Sequence, residues 1–547
     1  MTIEQRSLLR ASAAPAVGTA LSRITGLGRV VALAWALGQS GVSDGYNLAN
    51  TAPNLLYELV LGGVLSSTLV PMFVARADGG LGESRSRMAT LAPKQQAEAD
   101  DRASVVLSVG LVVLAALSLI AVVASPLLID LFPGSQRGPD GSIRSQIAEP
   151  LLYLLLPQIL FYGVTSIGTA ILHARRNYVV AAFAPVATNI ITIIAVLFVP
   201  LIDDGGIVPG DNGPIYLLGL GTTLGVAAMA ILVARGVRDS GADIRWRFEP
   251  RNPILIKIVR LSGWTVGYVA SNQIALLIVL AFASTLGDGA VTAYQTAFIF
   301  FQLPHGLLAV SIMTSTTPEL SAAAAAKDDD RLARRFREGL GLLITLMIPA
   351  ALGLVILAEP IVTLLLERGR FDQAATLRTA EVLQMMAIGL PAFSIYLYCQ
   401  RVFYAFQDTR TPFLLNLFEN TLNVIAAWAF LNRGPGGLGL AYSVAYIAGV
   451  VLSIAVVTRR WPTLLDRSMA PAVGRMLLAA GFSVAAVLAT RSILWSTILA
   501  GHPLVDVSVS AVMGAITLFV AVSALRVEGF ESVRKSIDER FGSGRRP

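Results

Sequence analysis

Residues 156–195 read LPQILFYGVTSIGTAILHARRNYVVAAFAPVATNIITIIA, and residues 390–429 read LPAFSIYLYCQRVFYAFQDTRTPFLLNLFENTLNVIAAWA. The two stretches align without a gap. Several of the matched positions are polar or proline, which two arbitrary apolar helices would seldom share. The matches are Leu156/Leu390, Pro157/Pro391, Tyr162/Tyr396, Arg176/Arg410, Asn189/Asn423, Ile191/Ile425 and Ala195/Ala429. The sequence therefore predicts an internal repeat.

Apolar runs continue on both sides of these stretches. Hydrophobic residues make up 55% of the 547 residues, only 14% are charged, and the mean hydropathy is +0.68. Soluble chains carry about 25% charged residues, so a soluble enzyme, a disordered chain and a disulfide scaffold are excluded. Runs long enough to cross a bilayer as helices predict fourteen spans, at residues 13–38, 49–75, 103–127, 149–173, 178–201, 214–235, 258–284, 290–317, 338–359, 380–405, 412–431, 436–457, 471–491 and 504–525.

The basic residues between the spans are strongly asymmetric. Of the 42 Lys and Arg residues, 32 fall on one side of the predicted membrane, 7 on the other and 3 inside spans. Cytoplasmic loops carry the excess of Lys and Arg in membrane proteins. Both termini are therefore predicted to be cytoplasmic, and the net charge of +7 is explained by membrane topology rather than by nucleic-acid binding.

The repeat relates spans 4–5 to spans 10–11, an offset of six spans. Because six is even, both copies have the same orientation, and the repeat is parallel. The predicted fold is an all-α polytopic membrane protein with an N-terminal bundle over residues 1–235 and a C-terminal bundle over 258–457. Two further spans lie at 471–525 and a cytoplasmic tail at 526–547. Parallel repeats of this kind are typical of transporters, with the substrate path between the halves.

The first two spans contain the most polar residues. A charge at membrane depth is costly, about 2.5–3.5 kcal/mol on insertion scales, and usually faces a wet cavity. Two guanidinium groups, those of Arg23 and Arg29, would suit a diphosphate, because arginine donates in a planar, bidentate fashion and stays charged. The alternative is structural: Arg23 pairs with lipid phosphates and Arg29 pairs with Glu58. Other candidate substrate-binding residues in this region are Ser22, Gly26, Asp44 and Asn54.

Span 11 contains a second polar group. Asn416, Asn420 and Asn423 share one helical face, and Glu419 lies beside them. These oxygen-rich side chains could bind a hard cation such as sodium, or the asparagines could simply form interhelical hydrogen bonds. One cysteine, Cys399, and three scattered histidines give no other metal site.

Several ordered motifs resemble the MurJ (MviN) family of lipid II flippases. The resemblance extends over nearly the whole chain to about residue 457. In sequence order, the motifs are residues 22–29 (SRITGLGR) followed by Asp44, 53–56 (PNLL), 302–307 (QLPHGL), 368–371 (RGRF), 389–391 (GLP), 403–405 (FYA), 408–412 (DTRTP) and 437–441 (GLGLA).

This resemblance implies a fold of the multidrug/oligosaccharidyl-lipid/polysaccharide exporter superfamily in the bacterial cytoplasmic membrane. It also implies transport of lipid II, the undecaprenyl-diphosphate-linked peptidoglycan precursor, from the inner to the outer leaflet during cell-wall biogenesis. The functionally important residues of the family fall on Arg23, Arg29 and Asp44, and spans 13 and 14 would hold the lipid tail. The chain departs from the family at Glu58 in span 2, where an arginine is common, and in span 8, which lacks one.

The leading hypothesis is therefore a lipid II flippase that works by alternating access and is not an enzyme. No ATP motif is visible, so the expected energy source is the membrane potential or a gradient of Na⁺ or H⁺, with no cofactor. Expected partners are lipid II, membrane lipids and cell-wall synthesis proteins. The alternatives are a flippase for another polyprenyl-diphosphate-linked oligosaccharide, a drug exporter, a membrane glycosyltransferase and a non-transporting scaffold.

Overall fold

The computed structural model describes residues 3–59, 93–130, 138–175, 177–202, 212–465, 469–494 and 502–525. Over these ranges the chain is helical and contains no strand, which confirms the predicted all-α membrane fold. The predicted tail at 526–547 and the second half of the predicted span 49–75 lie outside the described residues.

The chain forms two compact units, Met1–Ile274 and Ala275–Pro547. The helices that begin in the first unit are α1 (Ile3–Leu37), α2 (Gly41–Tyr57), α3 (Pro93–Val123), α4 (Ser125–Asp130), α5 (Gly138–Leu155), α6 (Gln158–Ala174), α7 (Tyr178–Ile202), α8 (Asn212–Asp239) and α9 (Pro253–Ser284). Those of the second unit are α10 (Ala290–Pro304), α11 (Val310–Ala326), α12 (Asp329–Leu366), α13 (Gln373–Ala387), α14 (Leu390–Ala405), α15 (Arg410–Ala429), α16 (Pro435–Arg460), α17 (Met469–Leu494) and α18 (Pro503–Ala524). A π-helical turn, His305–Ala309, joins α10 to α11.

Ten described helices are long and apolar enough to cross a bilayer, and two bent helix pairs bring the number to twelve. Fourteen spans are compatible with this count if α2 and α15 also cross. α2 is only 17 residues long in its described part, and the asparagines and glutamate of α15 lower its hydropathy. The protein is thus a multi-pass membrane protein.

Packing within each unit shows the internal repeat. In the first unit α8 packs on α5, α6 and α7; in the second, α16 packs on α13, α14 and α15. Each unit also contains one bent pair: α5 and α6 meet at 41°, and α13 and α14 meet at 47°. Under the alignment of the sequence copies, the two bends fall within about two residues of each other, so the repeat predicted from sequence extends to a broken helix.

Neighbouring hydroxyl groups add hydrogen bonds to the backbone groups at each break. In the first unit, Thr223 donates to the carbonyl of Leu154 at 2.7 Å and Ser118 donates to the carbonyl of Leu156 at 3.1 Å. In the second unit, the amide of Gly389 donates to Ser443 at 2.9 Å, and the Ser443 hydroxyl lies 3.0 Å from the carbonyl of Met386. Such substitutes are required in hydrocarbon, where water cannot take the place of a lost helical bond.

Gly389 also has a packing role at this break. A Cβ added there would lie 2.7 Å from the Cα of Ser443, closer than real Cβ contacts occur. Because the obstacle is backbone, it cannot move aside as a flexible side chain would. The break therefore needs glycine at this position for α16 to approach.

We expect Ser443→Ala to lower the free energy of unfolding by about 1 kcal/mol, because it removes the hydrogen bonds that the hydroxyl makes with the amide of Gly389 and the carbonyl of Met386. Ser453→Ala is the matched control: Ser453 lies on the same helix and is equally buried, and its hydroxyl has no hydrogen-bond partner among the described residues. Thermal unfolding of both variants in detergent checks this expectation. Equal unfolding temperatures for the two variants would contradict it.

Candidate functional site

The arginine pair predicted from sequence lies on α1, with its two members in different surroundings. Arg23 is exposed and Arg29 is half-buried. Asn189 of α7 fixes the chain between them: its Nδ2 donates to the carbonyl of Ser22 at 3.1 Å and lies 3.0 Å from the hydroxyl of Thr25. The segment that carries both arginines is therefore anchored to α7.

Gly26, one of the candidate substrate-binding residues, does not lie at a close approach between helices. A Cβ on Gly26 would lie 3.6 Å from Asn189, an ordinary van der Waals contact. The tight approach of α1 to α7 occurs at Gly18, where a Cβ would lie 2.6 Å from the ring of Phe183. Gly26 lies on the α7-facing side, but packing does not require glycine there.

The ion pair considered between Arg29 and Glu58 is not formed, since no ion pair within 4.0 Å joins these two described residues. The reason is that the two residues lie at different distances from the turn that joins α1 to α2. With a rise of 1.5 Å per residue, Arg29 lies about 12 Å from the end of α1 at Leu37, whereas Glu58 lies about 26 Å from the start of α2 at Gly41. Because a short turn joins the two helices, Glu58 is roughly 13 Å too far along α2.

Two tyrosines, Tyr46 and Tyr162, lie near Arg29 instead. Its guanidinium lies within electrostatic reach of the hydroxyl groups of Tyr46 and Tyr162. The side chain of Asn54 lies near the hydroxyl of Tyr162, and the centres of the Tyr162 and Tyr57 rings lie 5.4 Å apart. Arg29 therefore lies in a polar region built from α1, α2 and α6.

Hydroxyl pairs extend this polar region. Tyr46 hydrogen-bonds to Thr222 of α8 at 3.2 Å, and Tyr57 hydrogen-bonds to Ser166 of α6. Sequence reasoning named Asn54 but missed the tyrosines and their hydroxyl partners. The one available signal was the match of Tyr162 to Tyr396 in the repeat.

Asp44 lies in the first turn of α2 and is fully buried. Ser40 caps this helix, with its hydroxyl accepting from the amide of Ser43 at 3.3 Å. The N-terminal end of a helix carries a partial positive charge that favours a carboxylate. The helix end thus provides an environment suited to the buried acid.

The polar group predicted on span 11 is buried on α15. Asn416, Glu419, Asn420 and Asn423 are between 1% and 8% exposed. Glu419 Oε2 and Asn423 Oδ1 have no hydrogen-bond partner among the described residues. A buried carboxyl group with an unsatisfied oxygen is costly, so this residue calls for an explanation beyond packing.

Gly449 of α16 lies close to both Glu419 and Tyr396. A Cβ added to Gly449 of α16 would lie 3.3 Å from Glu419 Cγ and 3.4 Å from the ring of Tyr396. Tyr396 is the repeat counterpart of Tyr162. Each unit thus places an equivalent tyrosine near an intramembrane charge, which is Arg29 in the first unit and Glu419 in the second.

A third group of charges lies at the turn between α14 and α15. Asp408 accepts from the amide of Thr411 at 3.0 Å and from its hydroxyl at 2.6 Å, and Arg460 donates to the same carboxylate at 2.6 Å. Partial burial opposes ionisation, but these bonds from Thr411 and Arg460 outweigh it and hold the pKa of Asp408 below its ordinary value. The carboxylate of Asp408 therefore joins the first turn of α15 to the end of α16.

A depressed carboxyl pKa contributes stability above the ordinary pKa of aspartate, and this contribution is lost as the pH falls through the folded value. We therefore expect Asp408→Asn to lower the free energy of unfolding by about 1 kcal/mol at neutral pH. The difference from the unmodified protein should shrink below about pH 4. Thermal unfolding at several pH values measures it, and a pH-independent difference would contradict the role of ionisation.

The last two helices border an apolar cavity of about 330 Å³ in the second unit. α12, α17 and α18 contribute most of its lining, including Gly353, Val484 and Leu518. Arg491 donates to both oxygens of Asp506, at 3.1 and 2.9 Å, and its third nitrogen reaches the carbonyl of Ile356 at 3.3 Å. This buried ion pair ties the three helices together beside the cavity.

Comparison with known proteins agrees with this architecture. A sequence profile described as "Lipid II flippase MurJ" matches residues 33–508. The chain belongs to the lipid II flippase MurJ family. A relative from Thermotoga maritima, named probable lipid II flippase MurJ, is 27% identical over 447 residues, covering 81% of this chain and 84% of that protein. The lipid II flippase MurJ of Burkholderia cenocepacia is also 27% identical, over 431 residues, covering 78% and 79%.

Solved structures support the same fold. One titled lipid II flippase MurJ in an inward closed conformation aligns with a TM-score of 0.75 at 23% identity, covering 95% of this chain and 99% of that one. An inward-facing multidrug transporter of the MATE family, in the MOP superfamily, aligns with a TM-score of 0.66 at 15% identity, covering 80% and 94%. Both alignments show that the chain shares the fold of these transporters.

Proposed function

We propose that this MurJ-family protein moves lipid II from the inner to the outer leaflet of the bacterial cytoplasmic membrane by alternating access. The observation that carries the proposal is Arg29, a half-buried guanidinium in a polar region lined by Tyr46, Tyr162 and Asn54. A diphosphate and its attached sugars cannot cross hydrocarbon without polar partners. Charge-assisted bonds from arginine supply such partners.

The substrate would bind along α1 and α2. Arg29 would hold the diphosphate in the polar region, and Arg23, which is exposed, would meet it closer to the cytoplasmic side. Asn54 would offer amide contacts to the sugar head. The other residues expected to line the path are Ser22, Gly26, Asp44 and Glu58.

The polyprenyl tail would lie outside this polar region. The apolar cavity bordered by α12, α17 and α18 offers the matching chemistry. Burial of hydrocarbon there would contribute about 25 cal/mol per Å². The buried pair of Arg491 and Asp506 would keep these helices together while the tail is bound.

The energy for transport would come from an ion gradient or the membrane potential. The protein would act as a transporter and not as an enzyme. Glu419 is the best placed coupling group, because it is a buried carboxyl with an unsatisfied oxygen. Its α15 neighbours Asn416, Asn420 and Asn423 add the oxygen atoms that a hard cation such as Na⁺ prefers. A proton bound to the Glu419 carboxylate would neutralise its charge as Na⁺ would, so either ion could drive transport.

The membrane orientation follows from the 32-to-7 distribution of basic residues, which places both termini in the cytoplasm. Cell-wall synthesis proteins that use lipid II on the outer face would then act after this protein.

The position of Glu58 suggests a second candidate cargo. Glu58 stands where a basic residue is common in the family, so the region near α2 attracts anions less strongly than the family pattern implies. A flippase for another polyprenyl-diphosphate-linked oligosaccharide is therefore the second candidate. A cationic drug is disfavoured, because Arg29 would repel it.

Arg29→Ala should abolish function while the protein remains folded. Loss of hydrogen bonds to a charged group costs about 1.5–3 kcal/mol, or roughly tenfold to hundredfold in affinity. Arg29→Lys should rescue only partly, since lysine lacks the bidentate geometry. The measurement is growth of a host strain that is depleted of its own flippase and expresses the variant. Arg334→Ala, which changes an exposed arginine, is the control. Full complementation by Arg29→Ala would contradict the diphosphate role.

Glu419→Gln tests the coupling. The amide keeps the size of the side chain and cannot carry its charge, so the variant should fold normally and lose stimulation of transport by an imposed H⁺ or Na⁺ gradient. Transport of lipid II in proteoliposomes measures this, with Glu381→Gln as a control at an exposed carboxyl group on α13. If Glu419→Gln retained full stimulation, coupling would have to be placed elsewhere.

A further inference from the structure

The connector between α8 and α9 is held in an extended conformation against α3. The amide of Asp243 donates to Asp100 Oδ2 at 3.1 Å, that of Arg245 to Ser104 Oγ at 3.0 Å, and that of Arg247 to Ser108 Oγ at 2.8 Å. Alternate amides of the connector thus bond to side chains four residues apart on the helix. We call residues 240–248 the strap.

The repeat distances of the two elements explain this register. Two residues of extended chain advance about 6.6 Å, and four residues of α-helix advance about 6 Å. Three successive bonds therefore form without strain. Arg175 adds a bond to Asp100 at 2.5 Å and one to the carbonyl of Ser240 at 2.8 Å.

From Ala242 to Phe248 the strap alternates strictly between apolar and charged residues. In an extended chain, alternate side chains share a face, so the even-numbered residues from Ala242 to Phe248 point to one side. Ala242 and Ile244 pack against the buried cluster that contains Ile171 and Val237. The same face continues beyond this core as Trp246, 66% exposed, and Phe248, 50% exposed.

The strap lies at the edge of a candidate membrane span. Ser104 and Ser108 belong to the apolar segment Ala97–Val123, and Trp246 falls between the residues bonded to them. Tryptophan is enriched where a bilayer meets water. Its exposed ring beside the first turns of a span is therefore at the right depth for lipid headgroups.

Positive charge surrounds these two aromatic residues. Residues 235–260 contain seven Lys or Arg residues and three Asp or Glu residues. Arg245 pairs with Asp243 at 2.7 Å, but both side chains are largely exposed, and such surface pairs contribute little. The guanidinium group of Arg245 therefore remains available to a lipid phosphate.

We propose that the strap is a docking surface for acidic phospholipids of the cytoplasmic leaflet. Trp246 and Phe248 insert between the headgroups, and Arg245 and Arg251 bind the lipid phosphates. The positive charge and the exposed aromatic face together match an anionic lipid surface. The leaflet follows from the charge distribution and does not depend on which cargo the protein carries.

The test places an environment-sensitive thiol probe on Trp246→Cys in the full-length protein. Cys399, the native cysteine, is buried and serves as the unlabelled background. In proteoliposomes, spin-labelled lipids should quench the probe and aqueous iodide should not. A probe on Asp239→Cys, at the exposed end of α8, should show the reverse. Iodide quenching of both probes would overturn the proposal, and so would protection of the Trp246 position from both quenchers, which would indicate a protein partner.

A second measurement separates acidic lipid from lipid in general. Lipid quenching at position 246 should be stronger in vesicles containing phosphatidylglycerol than in pure phosphatidylcholine. Arg245→Gln combined with Arg251→Gln should remove that difference. If the lipid composition had no effect on the unmodified arginines, the acidic-lipid assignment would be wrong.

Discussion

Backbone groups in a bilayer have no water to bond with, and this constraint accounts for much of the structure. Each unit contains one broken span, and each break is satisfied by hydroxyl groups, Thr223 and Ser118 in one unit and Ser443 in the other. Tyr162 and Tyr396 both follow within two turns of the break in their unit, and these tyrosines mark the two regions where charge is kept inside the membrane.

The two units use the same architecture with opposite charges. In the first unit, the repeat tyrosine accompanies Arg29, which suits an anionic headgroup. In the second unit, it packs close to Glu419, which suits a proton or a cation. A parallel repeat permits this division, because the helices keep their packing while individual side chains change. Binding of substrate and use of an ion gradient would thus be assigned to different halves.

Sequence reasoning predicted the helical membrane fold and the repeat, because these follow from periodicity and composition. It did not predict the relative depth of Arg29 and Glu58 in the membrane. The second span was placed from residue 49, which would have set Glu58 level with Arg29. The helix in fact begins at Gly41, and eight residues of rise move Glu58 about 12 Å further along. The strap was also missed, because its ladder of amide bonds to Asp100, Ser104 and Ser108 joins segments far apart in sequence.

The most direct test of the account is where lipid II accumulates when the protein is depleted in its host. A membrane-impermeant reagent that modifies the lipid II head group reports the fraction in the outer leaflet. If the protein moves lipid II outward, this fraction falls on depletion and recovers when the protein is supplied again, while total lipid II rises. An unchanged outer-leaflet fraction of lipid II, with accumulation of a different polyprenyl-linked oligosaccharide, would contradict it.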